Sequence, residues 1–494
     1  MSRGGIRRIA AVLAGALVLT AVSGCEETKE KTKPDLLDGA VYKIVSADSG
    51  RVLGARDFGI VDGAYAELQA YEGDLNQVWR IHARENGSYG LECLSAGRFL
   101  SLKRENEKEG TPACVNHQKE DASVQNWIIQ TASSGQVTLS SASSGLYLQA
   151  EGESKAAGTG IVQTQKKNGQ AQKWELVQVD DGTRELPQML QLTGSLEHSS
   201  TPEIQHFGNT YYLYAMQDGI SLKTSSDMRQ WVKQPNIVST SRGYPFSWMK
   251  EVVPGRQVGG VWAPGVYKIG ELYGLYYCFS VTGKQTSAIG LLTNTTLDPG
   301  DPAYKWVERG PVIISQNGDD FNAIDPNVIT DGGQPWLAYG SYWSGIKLRR
   351  LNPETGLLLD NQVFSIASRT QTDKAIEAPY IVHREGYYYL FCAVEPMTKN
   401  YHVECGRAKE ITGPYLDKNG VDMLQGGGTP VTEGKDGVRL PGHASEFQDT
   451  DGSWYLVTEY FQEGSNSLLG ISTLVWDEEG WPQTALSPEL FPKK

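Results

Sequence analysis

The 494-residue sequence predicts an all-β chain in which a three-fold unit, a β-trefoil, precedes a five-fold one, a five-bladed β-propeller. Three observations carry this. The triplets Gln77-Val-Trp79, Gln125-Asn-Trp127 and Gln172-Lys-Trp174 recur at nearly even spacing, each closing a run of short alternating segments. Aromatic strand-like blocks recur five times after residue 188: YYLYAM at 211, LYGLYYCFS at 272, PWLAYGS at 335, YYYLFCA at 387 and WYLVTE at 454. Glycine is abundant, at 55 residues, which suits tight turns between short strands better than long helices.

The first 25 residues read as an export signal. Arg3, Arg7 and Arg8 precede an apolar run from Ile9 to Val22, and VSGC ends at Cys25. The run is short for a membrane span. VSGC resembles the bacterial lipoprotein signal, which implies a lipid on Cys25 and attachment to the extracellular face of a bacterial membrane. Residues 26–38, rich in Glu and Lys, would form a solvated tether.

Five further cysteines, Cys93, Cys114, Cys278, Cys392 and Cys405, include no CxxC pair, so neither a zinc site nor a disulfide scaffold is indicated. Cys93 and Cys114 could pair within one repeat; the others are expected as buried thiols. The net charge of −13 argues against nucleic acid or an anionic polymer as the main ligand and is compatible with a neutral glycan. A monomer is expected.

In the three-fold unit, residues 39–181, each Trp should fill a shared core while each Gln bonds turn backbone. The stretch resembles the ricin-type lectin β-trefoil. That family's binding residues match less well. Gly54, Ser101 and Gln149 stand where an Asp is usual, and Gln69, His117 and Thr164 where a sugar-stacking aromatic is usual. A sugar site needs an aromatic face and a planar acceptor, and no repeat offers both in those places.

Residues 182–187 read as a linker, and residues 188–491 as the propeller. Between the aromatic blocks lie WMKEVVPG (248–255), VWAPGV (261–266), SAIG (287–290), FNAIDPN (321–327), GSYWSGI (340–346), IEAPYI (376–381), PGHASEF (441–447) and WDEEGWP (476–482). In this order they resemble the landmarks of family 43 endo-arabinanases. The resemblance implies inverting hydrolysis of arabinan, or of a related arabinose-containing polysaccharide, in a funnel where the inner strands converge.

Carried over residue by residue, Glu377 matches the general acid, its apolar neighbours Ile376, Ala378 and Pro379 favouring the protonated form. Asp325 matches a third carboxylate that tunes the acid. His443 matches a residue that takes part, largely through water, in binding a central ion, usually calcium; calcium's preference for oxygen ligands makes one His weak support by itself. Trp248, Trp262 and Trp343 would offer flat faces to furanose rings, with Ser287 and Asn322 as further substrate contacts.

The first blade departs from the family. Counting back from Tyr211 puts Ser200-Thr201-Pro202 where a His-Asp-Pro is usual, so Thr201 occupies the general-base position. A hydroxyl cannot take a proton from water as a carboxylate does. The usual WAPD is here Trp262-Ala-Pro-Gly265. Three readings follow: Glu203, Glu197 or His198 replaces the base; the substrate or mechanism differs; or the protein binds oligosaccharide without cutting it. An exo-acting arabinofuranosidase or xylosidase fits the runs at 248, 287 and 340 less well.

Overall fold

The structure is a computed structural model that describes residues 34–119, 123–133, 135–254, 260–370 and 375–493. Cys25 and the expected export signal lie outside the described residues. Residues 36–38, expected at the end of a solvated tether, instead pack on the first unit: Leu36 lies against its core and Asp38 Oδ1 accepts from Ala83 N–H (2.8 Å).

Twelve strands between Val41 and Asp180 form the β-trefoil. Its three-fold chemistry is literal. Trp79, Trp127 and Trp174 are buried at the centre, and their indole N–H groups donate to the carbonyls of Leu53, Leu100 and Leu148, one in each repeat. Gln77, Gln125 and Gln172 each donate to a backbone carbonyl (Ala70, His117, Gln165) and accept a backbone N–H (Glu72, Lys119, Lys167). Each indole thus fills apolar space without leaving its N–H orphaned. Cys93 and Cys114 do not pair: all five described cysteines are free and buried, Cys93 on Tyr89–Cys93 beside Ser95 and Cys114 on Ala113–Asn116.

After the trefoil come five larger sheets, the blades of a propeller, antiparallel but for the short strand Thr193–Gly194, which runs parallel to Gln230–Ser239. Their first strands are Ser200–Phe207 (blade I), Gly260–Ile269 (II), Asn327–Asp331 (III), Ile376–Arg384 (IV) and Arg439–Gln448 (V). These pack on one another in a closed ring around the axis. The five aromatic blocks form the second strand of each blade, buried between first and third. Residues just before blade I close the circle: Leu190 N–H donates to Ile471 O (2.8 Å), and Met189 and Glu197 bridge to Ser472 and Leu468 of blade V.

A single backbone device recurs once per blade. Thr201, Ala263, Asp325, Ala378 and His443 all have positive φ, between 43° and 57°, a region costly for residues with a Cβ. Four of the five precede a proline. In blades I, II, IV and V the pairing register breaks at the same point. Such a bulge bends the strand and re-aims its side chains, here toward the axis.

The two units share a buried apolar seam. Val41, Phe58, Leu75 and Leu94 of the trefoil meet Leu186, Met189, Val438, Tyr460, Leu486 and Phe491. Lys435, almost fully buried, bonds Asp74 Oδ1 at 2.7 Å across it. Gln188 and Gln191 reach back to Glu92 and to the Ala96 carbonyl.

Candidate active site

The five kinked positions, with the one or two residues after each, form the wall of a small axial cavity of about 20 Å³. Its lining includes Thr201 to Glu203, Asp325, Ala378 to Tyr380 and His443 to Ser445. That volume admits one water or so.

Equivalent residues do equivalent work between blades. Asp325 Oδ2 accepts from the backbone N–H of Ala378 in the next blade (3.1 Å), and Thr201 Oγ1 accepts likewise from Ala263 (3.2 Å). Two residues further on, Asn327 Oδ1 accepts from Ile381 N–H (3.0 Å) and Glu203 Oε1 from Val266 N–H (2.8 Å). Ser445 completes the circle by donating to Pro202 O. Thr201 therefore keeps the structural bond that an acidic side chain makes in blade III, without its charge.

This assigns Glu203 a strut's role. It is buried below the kink, held by Val266 and Gln205, and burial pushes its carboxyl up to about 8. A Cβ on Gly265 would lie 3.4 Å from Glu203 Oε2 and 2.6 Å from Pro326 O. The space beside Gly265, where the usual WAPD would carry its Asp, is taken by Pro326 O and by Glu203 from the neighbouring blade. Glu197 and His198 are exposed, and Glu197 bonds Asn466.

Glu377 sits one residue before the kink of blade IV, half-buried. Tyr401 Oη donates to its Oε1 (2.8 Å) and Ser341 Oγ to its Oε2 (3.0 Å). Burial raises its pKa, and the two hydrogen bonds oppose the rise. Asp325, 5% exposed, is raised well above the carboxylate range by burial and then by the charge of Glu377. A carboxylate that resists ionisation beside a second one is the electrostatic arrangement of a general acid with a tuning partner.

Around them, Trp262 is half-buried immediately before Ala263, and Trp343 lies two residues after Ser341 with a positive φ of 41°. Trp248 stands apart, its ring edge-on to Phe279 in the core of blades I and II. Ser287 Oγ donates to Asn322 Oδ1 (2.6 Å), both buried. The sequence did not single out Tyr401, Ser341 or a third buried carboxyl, Glu459 of the strand Trp454–Phe461.

His443 is half-buried on the axis, where desolvation lowers its pKa to about 3 and keeps it neutral. Among the described residues no three of His, Cys, Asp and Glu converge as a metal site. The donors present therefore suit a calcium ion only in the form the resemblance implies, held by a neutral imidazole through water.

The trefoil's expected sugar positions are occupied from within. In the first repeat a Cβ on Gly54 would run into the Gln69 amide, which Asn76 and Gln77 both bond. In the second, His117 Nδ1 lies 2.5 Å from Asp62; in the third, Gln172 bonds both Gln149 and Thr164.

A five-bladed propeller with two neighbouring carboxyls, Glu377 and Asp325, beside its axis is compatible with a glycoside hydrolase. The chain belongs to glycosyl hydrolases family 43, whose profile matches residues 196–482. A second profile, ricin-type beta-trefoil lectin domain-like, matches residues 34–116 and 123–190. Among curated proteins it is similar to the extracellular exo-alpha-(1->5)-L-arabinofuranosidase ArbA of Cellvibrio japonicus, 39% identical over 57% of this chain and 85% of that protein. It also resembles the extracellular endo-alpha-(1->5)-L-arabinanase 1 of Bacillus subtilis, 38% identical over 53% of this chain and 79% of that one. Among solved structures, an exo-1,5-alpha-L-arabinanase from a bovine ruminal metagenomic library superposes with a TM-score of 0.55 at 35% identity, covering 60% of this chain and 99% of that chain. The Cellvibrio cellulosa alpha-L-arabinanase complexed with arabinohexaose gives 0.54 at 37%, covering 59% and 96%.

Proposed function

We propose that this protein hydrolyses α-1,5-linked arabinan, by endo cleavage with inversion, and that Glu377 is the general acid. The observation that carries this reading is the Glu377 carboxyl itself. It is positioned by Tyr401 and Ser341, biased toward its protonated form by burial, and raises the pKa of Asp325 beside it. Protonated Glu377 would donate to the departing glycosidic oxygen while water attacks the anomeric carbon from the opposite face. Asp325, fixed by the Ala378 N–H, would partner the acid, the charge of either carboxyl opposing ionisation of the other. Trp262 and Trp343 flank this centre and suit furanose rings; Ser287 and Asn322 bond each other and would contribute through their remaining polar atoms. The placement of Trp248 suits packing better.

Similar proteins act on α-1,5-arabinan in both modes, one named exo and another endo. The endo mode rests on the runs at 248, 287 and 340. It predicts that viscosity falls faster than single arabinose units appear. A hydrated calcium beside His443 would add positive charge beneath the carboxylates. Two relatives are named extracellular, which supports export, and VSGC supports a lipid on Cys25.

The test is reducing-end release from debranched arabinan by the natural protein and by Glu377→Gln. Release that Glu377→Gln abolishes supports the reading; release that survives it removes Glu377 from the chemistry. The second reading, binding without cleavage, is favoured by one observation, the Thr201 hydroxyl in the base position. It predicts a natural protein that is silent and gains turnover on Thr201→Asp.

A further inference from the structure

We propose that Glu459 is the general base of this site, in place of the missing carboxylate at residue 201. The proposal rests on the hydrolytic reading above and completes it.

Glu459 lies on the second strand of blade V, paired in register with Gly442 of the first. Gly442 has no side chain, and a Cβ there would run into the Tyr401 ring. Residues paired across two antiparallel strands share a face, so Glu459 stands on the face of Gly442, whose place just before the kink is that of Glu377 in blade IV and of Ser200 in blade I. The Ser200 hydroxyl, one residue from Thr201, donates to Ser467 Oγ (2.9 Å) and stands near enough to the Glu459 carboxyl to pull its pKa down. The acid is on the other side: the charge of Glu377 acts on Glu459, and that of Glu459 on Asp325 and Tyr401. Blade V stands between blades IV and I, so Glu459 faces the acid from beside the vacated position.

Two further facts fit a base better than a structural carboxyl. Glu459 is 3% exposed and its Oε2 has no hydrogen-bond partner, a costly state for a group with only a packing role. Burial first, and then the Glu377 charge, raise its pKa to about 7, poised for proton uptake near neutrality. By contrast, Glu203 spends an oxygen on Val266 N–H, and Glu197 and His198 are exposed.

In the step itself, Glu459 carboxylate takes one proton from water as the water oxygen bonds the anomeric carbon. The bond from that carbon to the glycosidic oxygen breaks, and its electron pair takes the Glu377 proton. One water is consumed, the configuration inverts, and solvent exchange restores both carboxyls.

The experiment compares Glu459→Gln, Glu459→Ala and Glu377→Gln on debranched arabinan, with thermal melting to confirm folding. Glu459→Gln is expected to lower kcat by roughly 10²- to 10⁴-fold with KM little changed. Azide should restore turnover to Glu459→Ala by forming a glycosyl azide, and adding Thr201→Asp should restore hydrolysis to Glu459→Gln. Glu459→Gln at natural turnover while Glu377→Gln is silent overturns the base assignment and leaves the hydrolytic reading standing. Loss of activity that neither azide nor Thr201→Asp repairs overturns it also, as a structural role. A silent natural protein, or an active Glu377→Gln, sinks the hydrolytic reading and this inference with it.

Discussion

Glu203 keeps its proton near neutrality because its carboxyl is sealed between two blades with one backbone N–H and one amide for company. Unfolded, it ionises near the ordinary glutamate value, about 4.3; folded, near 8. Between those values the folded chain holds a proton that the unfolded chain has lost, so the stabilising effect is complete at low pH and falls away as pH rises through 8. Glu203→Gln keeps the acceptor for Val266 and deletes the titration. Melting at about pH 5 and about pH 9 should show a smaller pH-dependent loss for the variant, the difference being on the order of a few kcal/mol. Equal losses would contradict the strut role. Glu377 and Asp325 were legible in the sequence because each sits in a short run, IEAPYI and FNAIDPN, that matches a landmark of the family. Glu459 was not: it ends an aromatic block whose pattern signals a packed second strand, and nothing local in the sequence marks its pairing with Gly442 beside the kink.

At the scale of the element, the inner strand explains why such distant residues meet. Each kink turns its residue out of the pleat toward the axis, and in blades I and III the next blade's N–H fixes it there. Gly442 is the tightest of these places. Gly442→Ala should push Tyr401 from Glu377 and cost roughly tenfold or more in kcat, as expected for a displaced catalytic group, while CD at room temperature is unchanged; natural turnover would show that Tyr401 can move without consequence. Ring closure has its own latch, in which Asp449 accepts from Tyr211 Oη (2.6 Å) and lies 3.1 Å from His206 Nδ1, joining blades V and I. These bonds hold Asp449 below the ordinary carboxylate range, although burial opposes them, so this contribution is present above the ordinary value and lost as pH falls. The five blocks and three QxW triplets were readable because periodicity of 2 and repeat spacing survive in sequence. The positive-φ kinks were not, since four of them fall on residues whose only local sign is a following proline.

On the scale of the molecule, trefoil and propeller share one apolar seam rather than a free hinge. Phe491 is 1% exposed within it. A single calorimetric transition is expected for the natural chain, and Phe491→Ala, at a cost of roughly 3–5 kcal/mol, should split it in two; two transitions in the natural chain would contradict the coupling. The linker composition at 182–187 gave no hint of this, because the seam is made by residues from both ends of the propeller. With its expected sugar positions filled by Gln69, His117 with Asp62, and Gln172, the trefoil serves first as a packed partner. The central claim, hydrolysis with inversion at a propeller axis whose first-blade carboxylate has moved to blade V, is tested most directly by proton NMR of arabinan products in the first minutes of reaction. The account predicts that the β-anomer appears first and equilibrates to α; an α-anomer that appears first, or no product at all, would contradict it.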